Sequence, residues 1–189
     1  MTSSATTTSH LSTLRQFDEA LSSCREVFVN KLRDYGASWR IMRPRSITDQ
    51  LYIKAKRIRT LEEGVAMVDE GILGEFMAIV NYGIIGLIQL ELGYADEADI
   101  TTEEAVRLYD RYASDARALM EAKTHDYGDA WRGMRVNSYT DFILTKLQRV
   151  KEIEGNGGST TVSEGIDSNY MDIINYAVFG IIKLTEKQV

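Results

Sequence analysis

Tryptophan occurs twice in this chain, at Trp39 and Trp131, each time followed by arginine within the same string of residues. The string reads Lys-x-x-Asp-Tyr-Gly-x-x-Trp-Arg-x-Met-Arg-x-x-Ser-x-Thr-Asp-x-x-x-x-Lys-x-x-Arg. It spans Lys31 to Arg57 and returns 92 residues later, from Lys123 to Arg149, with 13 of 27 positions identical. Drift spares apolar character first. What persists here is polar, basic and aromatic, so these positions are where chemistry is to be sought. The basic set is Lys31, Arg40, Arg43, Lys54 and Arg57, repeated as Lys123, Arg132, Arg135, Lys146 and Arg149. Lys54 and Arg57 lie three apart and share a helix face. Guanidinium forks suit phosphate or carboxylate oxygens. Beside them stand Tyr35 and Trp39, repeated as Tyr127 and Trp131. An indole next to arginines suits stacking of a base or sugar. The alternatives are plain: cations solvated or paired with Asp34 and Asp49, and tryptophans plugging a helix junction.

Acids and amides recur as well. Asp34 and Asp49 return as Asp126 and Asp141. Asp34 precedes a glycine stop, where a loop acid suits an arginine or an amine donor. Asp49 lies three residues after Ser46, as Asp141 does after Ser138, which reads as a short helix cap. A second repeated block, Glu70-Gly71-Ile72 with Asn81-Tyr82 and Gly86, matches Glu164-Gly165-Ile166 with Asn175-Tyr176 and Gly180. Its shift is 94, so the second copy carries a two-residue insertion. Glu and Asn eleven residues apart fall nearly in line on a helix. Asp172 joins them in the second copy, where the first has Ala78. Oxygen ligands on such a face, Glu70, Glu164 and Asp172, suit Mg²⁺, with Glu164 and Asp172 the candidate catalytic pair. Asn81 and Asn175 either face a ligand or bond to a neighbouring helix.

These residues need a helical frame. Proline occurs once, at Pro44, and helical spacing dominates. A first helix is expected over about 13–33, with Leu14, Phe17, Leu21, Cys24, Phe28 and Leu32 on one stripe. Gly36 ends it, Ser46 caps a second helix to about Leu61, and a third runs over about 66–92. Thr101 with Glu104 opens the second copy, Ser138 caps its middle helix, and Thr161 with Glu164 opens the last. The expected fold is all-α: six main helices as two pseudo-symmetric three-helix repeats in one bundle. Residues 1–11 read as a disordered tail, 12–93 as repeat one, 94–101 as a linker and 102–189 as repeat two. Each repeat alone has a marginal core, and two packed together bury far more.

Composition narrows the classes. Apolar residues make up 44% and charged residues 26% of 189, a soluble globular balance. A net charge of −6 argues against non-specific DNA binding, which needs a basic surface. One cysteine, Cys24, and two histidines, His10 and His125, exclude a disulfide framework and a zinc cage. Cys24 reads as a small core residue. The apolar run from Phe76 to Leu92 is short for a membrane span and has acids just upstream. The expected location is the cytoplasm, with no membrane partner, and a homodimer suits a bundle of this kind.

The motifs Lys-x-x-Asp-Tyr-Gly (Lys31–Gly36, Lys123–Gly128), Lys-x-x-Arg (Lys54–Arg57, Lys146–Arg149) and Glu…Asn-Tyr (Glu70 with Asn81-Tyr82, Glu164 with Asn175-Tyr176) resemble the nucleotide-modification-associated domain 1 family of bacteria and phages. The tandem form resembles that of Bacteroidota proteins, and the resemblance spans Leu14 to Leu184. It implies a link to modified nucleotides or DNA bases. The third helix also resembles all-α nucleoside triphosphate pyrophosphohydrolases of the MazG-like group, which hold Mg²⁺ between acid pairs on two helices. Here Lys54 and Arg57 stand where the first acid pair would be expected. Three readings stay open. One is a nucleotide-binding enzyme, acting on a nucleotide or other phosphorylated small molecule with Mg²⁺. The second is a non-enzymatic helical adaptor or nucleic-acid-associated module. The third is a scaffold whose repeated polar residues knit the halves together.

Overall fold

The computed structural model describes residues 2–64 and 71–186, with side chains from residue 11 onward. Its elements are α1 (Thr2–Tyr35), α2 (Pro44–Glu62), α3 (Ile72–Leu92), α4 (Thr102–Tyr127), α5 (Val136–Gly155) and α6 (Ile166–Glu186). Single 3-10 turns, Ser38–Ile41 and Ala130–Gly133, sit between the first and second helix of each repeat. The chain is all-α, with no strand among the described residues. Helix α1 begins at Thr2, so the helix continues back over the segment expected as a disordered tail.

Apolar spacing sets the buried faces. Phe17, Cys24, Phe28 and Leu32 bury the stripe of α1, and Ile47, Leu51, Ala55 and Ile58 bury that of α2. Gly36 and Gly128 take φ values of 64° and 62° and end α1 and α4. Thr101 caps α4, its side chain accepting from the Glu104 amide at 3.1 Å. The other expected caps are not made. Helix α2 starts at Pro44 with Arg43 at its N-cap, because proline is preset for the first helical position. Helix α5 likewise starts at Val136, so Ser46 and Ser138 lie inside their helices. Helix α6 starts at Ile166, leaving Thr161 and Glu164 in the preceding loop. The expected start of the third helix, residues 66–70, lies outside the described residues.

Helices α2, α3, α5 and α6 pack as a central four-helix group, with α1 and α4 against each other and against α3 and α6. Exchanging α1 with α4, α2 with α5 and α3 with α6 maps this arrangement onto itself. The α3–α6 crossing is close because glycines face aromatic rings across it. A Cβ on Gly86 would lie 2.5 Å from the Tyr170 ring, and one on Gly180 would lie 2.9 Å from Phe76. Apolar residues of both repeats form one continuous cluster.

Polar ties obey the same pseudo-twofold. Thr48 bonds Glu154 at 2.7 Å, and Thr140 bonds Glu62 at 2.8 Å. Asp49 pairs with Lys151 at 3.1 Å, and Asp141 pairs with Arg59. Arg25 meets Asp110 and Arg117 meets Asp18, both at 2.6 Å. The doubled Thr-Asp of the motif therefore stitches one repeat to the other rather than capping its own helix. Helix α3 is long and apolar enough to cross a membrane by length and composition. Its apolar window is 61% buried inside the bundle, which accounts for that character as a core helix.

Candidate functional site

The two repeats differ most where their motifs meet the third helix. In repeat one, the end of α1, the 3-10 turn and the outer face of α3 enclose a half-open cavity of about 440 Å³. Its walls are largely apolar and include the aromatic and sulfur-bearing side chains Phe28, Tyr35, Trp39, Met42, Met77 and Tyr82. Such a lining with few polar groups is typical of small-molecule sites. Lys31 is the one charged side chain among the described lining residues. Lys31 is exposed and makes no ion pair or hydrogen bond among the described residues. Tyr35, 56% exposed, has its pKa raised by partial burial, with Tyr82 and Asp34 adding, so its hydroxyl stays a neutral donor.

A clamp holds the Trp39 turn in place. The Gln89 amide on α3 donates to the backbone oxygens of Trp39, Arg40 and Met42, the last at 2.6 Å. Arg40 is 2% exposed and donates to Asp99 at 2.7 Å, to the Gly93 carbonyl at 2.6 Å and to the Gln89 side chain. The acidic linker after α3 thus neutralises Arg40 and fixes the wall of the cavity. Asp99 is held below the usual carboxylate range by that arginine hydrogen bond. Arg40 acts as a structural fastener of the turn.

Repeat two places the same motif around a filled interior. Phe179, the counterpart of Ile85, stacks on Trp131 with ring centroids 4.4 Å apart and planes 13° apart. Asp172, the counterpart of Ala78, accepts from Lys123 at 2.5 Å and from Lys146 at 2.7 Å. Burial alone would raise the Asp172 pKa, but the two lysine hydrogen bonds outweigh it and hold the carboxyl below its ordinary range. Arg132 is bound by Glu186, Thr13 and Gln16, and its carbonyl accepts from Lys183 at 2.5 Å.

The remaining candidates divide by their partners. Glu75 takes both Lys54 and Arg57 at 3.2 Å. Asn81 donates to the Cys24 carbonyl at 3.1 Å and accepts from the Tyr109 hydroxyl at 2.7 Å. Asn175 is buried with both amide atoms unpartnered among the described residues; its oxygen lacks a donor because Phe17 stands at the position of Tyr109 and offers no hydroxyl. Both indole N–H groups are buried without a partner. Since Trp131 shares this with Trp39, it belongs to the packing of the motif and not to the cavity. Asp34 and Asp126 are exposed, Tyr127 is 77% exposed, and Arg135 is exposed. Arg43 lies over the Tyr94 ring at 5.8 Å. Arg149 and Glu164 line a shallow groove along the 159–164 loop, and the Glu164 charge also acts on Lys123.

The residues do not fit a Mg²⁺ centre. Both Asp172 oxygens carry ammonium groups, which repel a cation. No group of three Asp, Glu, His or Cys side chains comes together among the described residues. Glu70 lies outside them. The cavity itself was not read from the sequence; among its lining positions that differ between the copies, Ala78 and Ile85 are replaced by Asp172 and Phe179 in repeat two.

Neither a curated protein nor a solved structure matches the chain. A family model does, in two segments that coincide with the two repeats, residues 31–90 and 123–184. The segments cover the motif and third helix of each repeat, and the chain belongs to the nucleotide modification associated domain 1 family.

Proposed function

We propose that this chain binds nucleotides in the repeat-one cavity, in the service of nucleotide or DNA-base modification, and that it does so without hydrolysing them. The observation that carries this reading is the cavity between Lys31 and Trp39, with aromatic residues in its walls and, at its rim, an ammonium that has no ion-pair partner among the described residues. A planar base stacks on such walls, and an ammonium suits a phosphate oxygen. The family description supports the nucleotide link. Binding without hydrolysis is favoured over a Mg²⁺-dependent hydrolase by the acids themselves, since Glu75 and Asp172 are committed to basic partners. The protein then acts as a cytoplasmic binding module that presents or senses a nucleotide.

Calorimetric titration with ribo- and deoxyribonucleoside 5′-monophosphates tests this. Wild type is expected to bind at least one of them. Lys31→Ala removes a charge-assisted hydrogen bond of ~1.5–3 kcal/mol, weakening affinity about 10- to 100-fold. It should leave the affinity for the unphosphorylated nucleoside unchanged. Absence of binding to every member of the panel refutes the reading.

A further inference from the structure

The filled interior of repeat two describes what repeat one takes. At the two cavity-lining positions Ala78 and Ile85, repeat two carries Asp172 and Phe179. These two side chains supply a ring and an anion. The Phe179 ring lies nearly parallel to the Trp131 indole, and the Asp172 carboxylate sits on Lys123. The counterparts of their receivers in repeat one, Trp39 and Lys31, both line the cavity, and there Lys31 is free of ion pairs among the described residues. A third exchange completes the pattern. Repeat one neutralises Lys54 from Glu75, one helical turn ahead of Ala78, whereas repeat two has Asn169 there and uses Asp172 for Lys146 as well as Lys123. Moving the acid by one turn frees both the space and the ammonium.

We propose that repeat two is a self-liganded copy of the site, with Phe179 and Asp172 standing where the ring and the anion of a nucleoside monophosphate bind in repeat one. This rests on the nucleotide-binding reading above and narrows it. The single phosphate follows from Lys31 as the one cation among the described lining residues. A triphosphate would bring charge that the lining does not meet, since Lys54, Arg57 and Arg40 are held by acids of the chain itself. The stacked ring requires a planar heterocycle, which excludes sugar phosphates lacking a base.

Exchanging the repeats tests the proposal. Asn169→Glu, Asp172→Ala and Phe179→Ile together give repeat two the residues of repeat one at these three positions of the third helix, which removes the ring and the anion. In calorimetry with dAMP, dCMP, dGMP and dTMP and their ribonucleotide counterparts, stoichiometry should rise from one to two per chain. In the converse variant, Ala78→Asp with Ile85→Phe, affinity for the same ligand should fall at least 10-fold, with circular dichroism confirming an intact fold. If wild type binds none of these monophosphates, the nucleotide-binding reading fails and this proposal with it. If wild type binds but the folded exchange variant keeps a stoichiometry of one, self-liganding is overturned while nucleotide binding stands. If the exchange variant does not fold, the converse variant decides alone: unchanged affinity overturns the proposal, and a 10-fold loss supports it. Triphosphates binding 10-fold more tightly than monophosphates would also overturn it.

Discussion

Asp172 is the residue on which repeat two is closed, and its removal has a size that follows from its surroundings. Its side chain is 9% exposed, that of Lys146 is 14% exposed and that of Lys123 is 49% exposed. Asp172→Asn keeps the shape but leaves two ammonium groups facing a neutral amide. Breaking a buried ion pair by removing one partner costs about 3–5 kcal/mol. The Lys146 arm belongs near the lower end of that range, because some solvent reaches it. The Lys123 arm, half in water, adds at most about 1 kcal/mol. A total loss of about 3 kcal/mol is expected, equivalent to a fall in Tm of roughly 6–12 °C for a chain of this size.

The loss carries a pH signature. A carboxyl whose folded-state pKa lies below its ordinary 3.8 stabilises the fold above that value, and the contribution disappears as pH falls through the folded pKa. Lys123 behaves oppositely: burial would lower its pKa, Asp172 outweighs this, and the value ends above the ordinary 10.5. Its share is present below 10.5 and disappears as pH rises through the raised value. The difference in stability between wild type and Asp172→Asn should therefore be a plateau through neutrality that closes at both ends. Urea and thermal unfolding followed by circular dichroism from pH 3 to pH 11 measure it. Other carboxylates titrate equally in both proteins and cancel. A difference under ~0.5 kcal/mol at pH 7, or one that stays constant down to pH 3, refutes the ion-pair argument. Asp172→Leu combined with Lys146→Met should recover most of the loss, because an apolar pair replaces a buried charge pair at little net cost.

Three further outcomes are expected. Gly86→Ala places a Cβ 2.5 Å from Tyr170 and 3.2 Å from Ile47 and should destabilise by about 1–2 kcal/mol in urea unfolding despite better helix propensity, whereas Gly74→Ala, with nothing within 4 Å, should not. Phe17→Tyr supplies repeat two with the hydroxyl that Tyr109 gives Asn81, and should raise stability by about 1 kcal/mol; a gain that persists in an Asn175→Leu background contradicts the assigned partner. Cys24 is fully buried with its thiol pushed up to about 12 by desolvation, so an aromatic disulfide reagent should label it only at the rate of unfolding.

Much of this molecule was legible in its sequence because a duplication prints the same physics twice. Helix number, the glycine stops and the stripes of α1 and α2 follow from spacing alone, since burial is periodic wherever a helix faces a core. Helix starts were less legible: Pro44 sets the beginning of α2 through backbone geometry, which outranks the side-chain cap offered by Ser46. The doubled polar residues misled in an instructive way. Persistence in both copies marked Arg40 and Arg132 as candidates for chemistry and Asp49 and Asp141 as caps, yet their partners are Asp99, Glu186, Lys151 and Arg59. A pseudo-twofold interface demands that the same residue serve on both sides of the axis, so symmetry preserves assembly residues as strongly as ligand contacts. The proposed site lies where the symmetry is broken. Lys31 and Lys123 are identical in sequence and differ in state, one at the rim of a cavity with no ion pair among the described residues and the other bound to Asp172. What separates them is the placement of one carboxylate and one ring on the third helix, and a stripe of residues read by type alone cannot reveal that without the partner helix that brings them together.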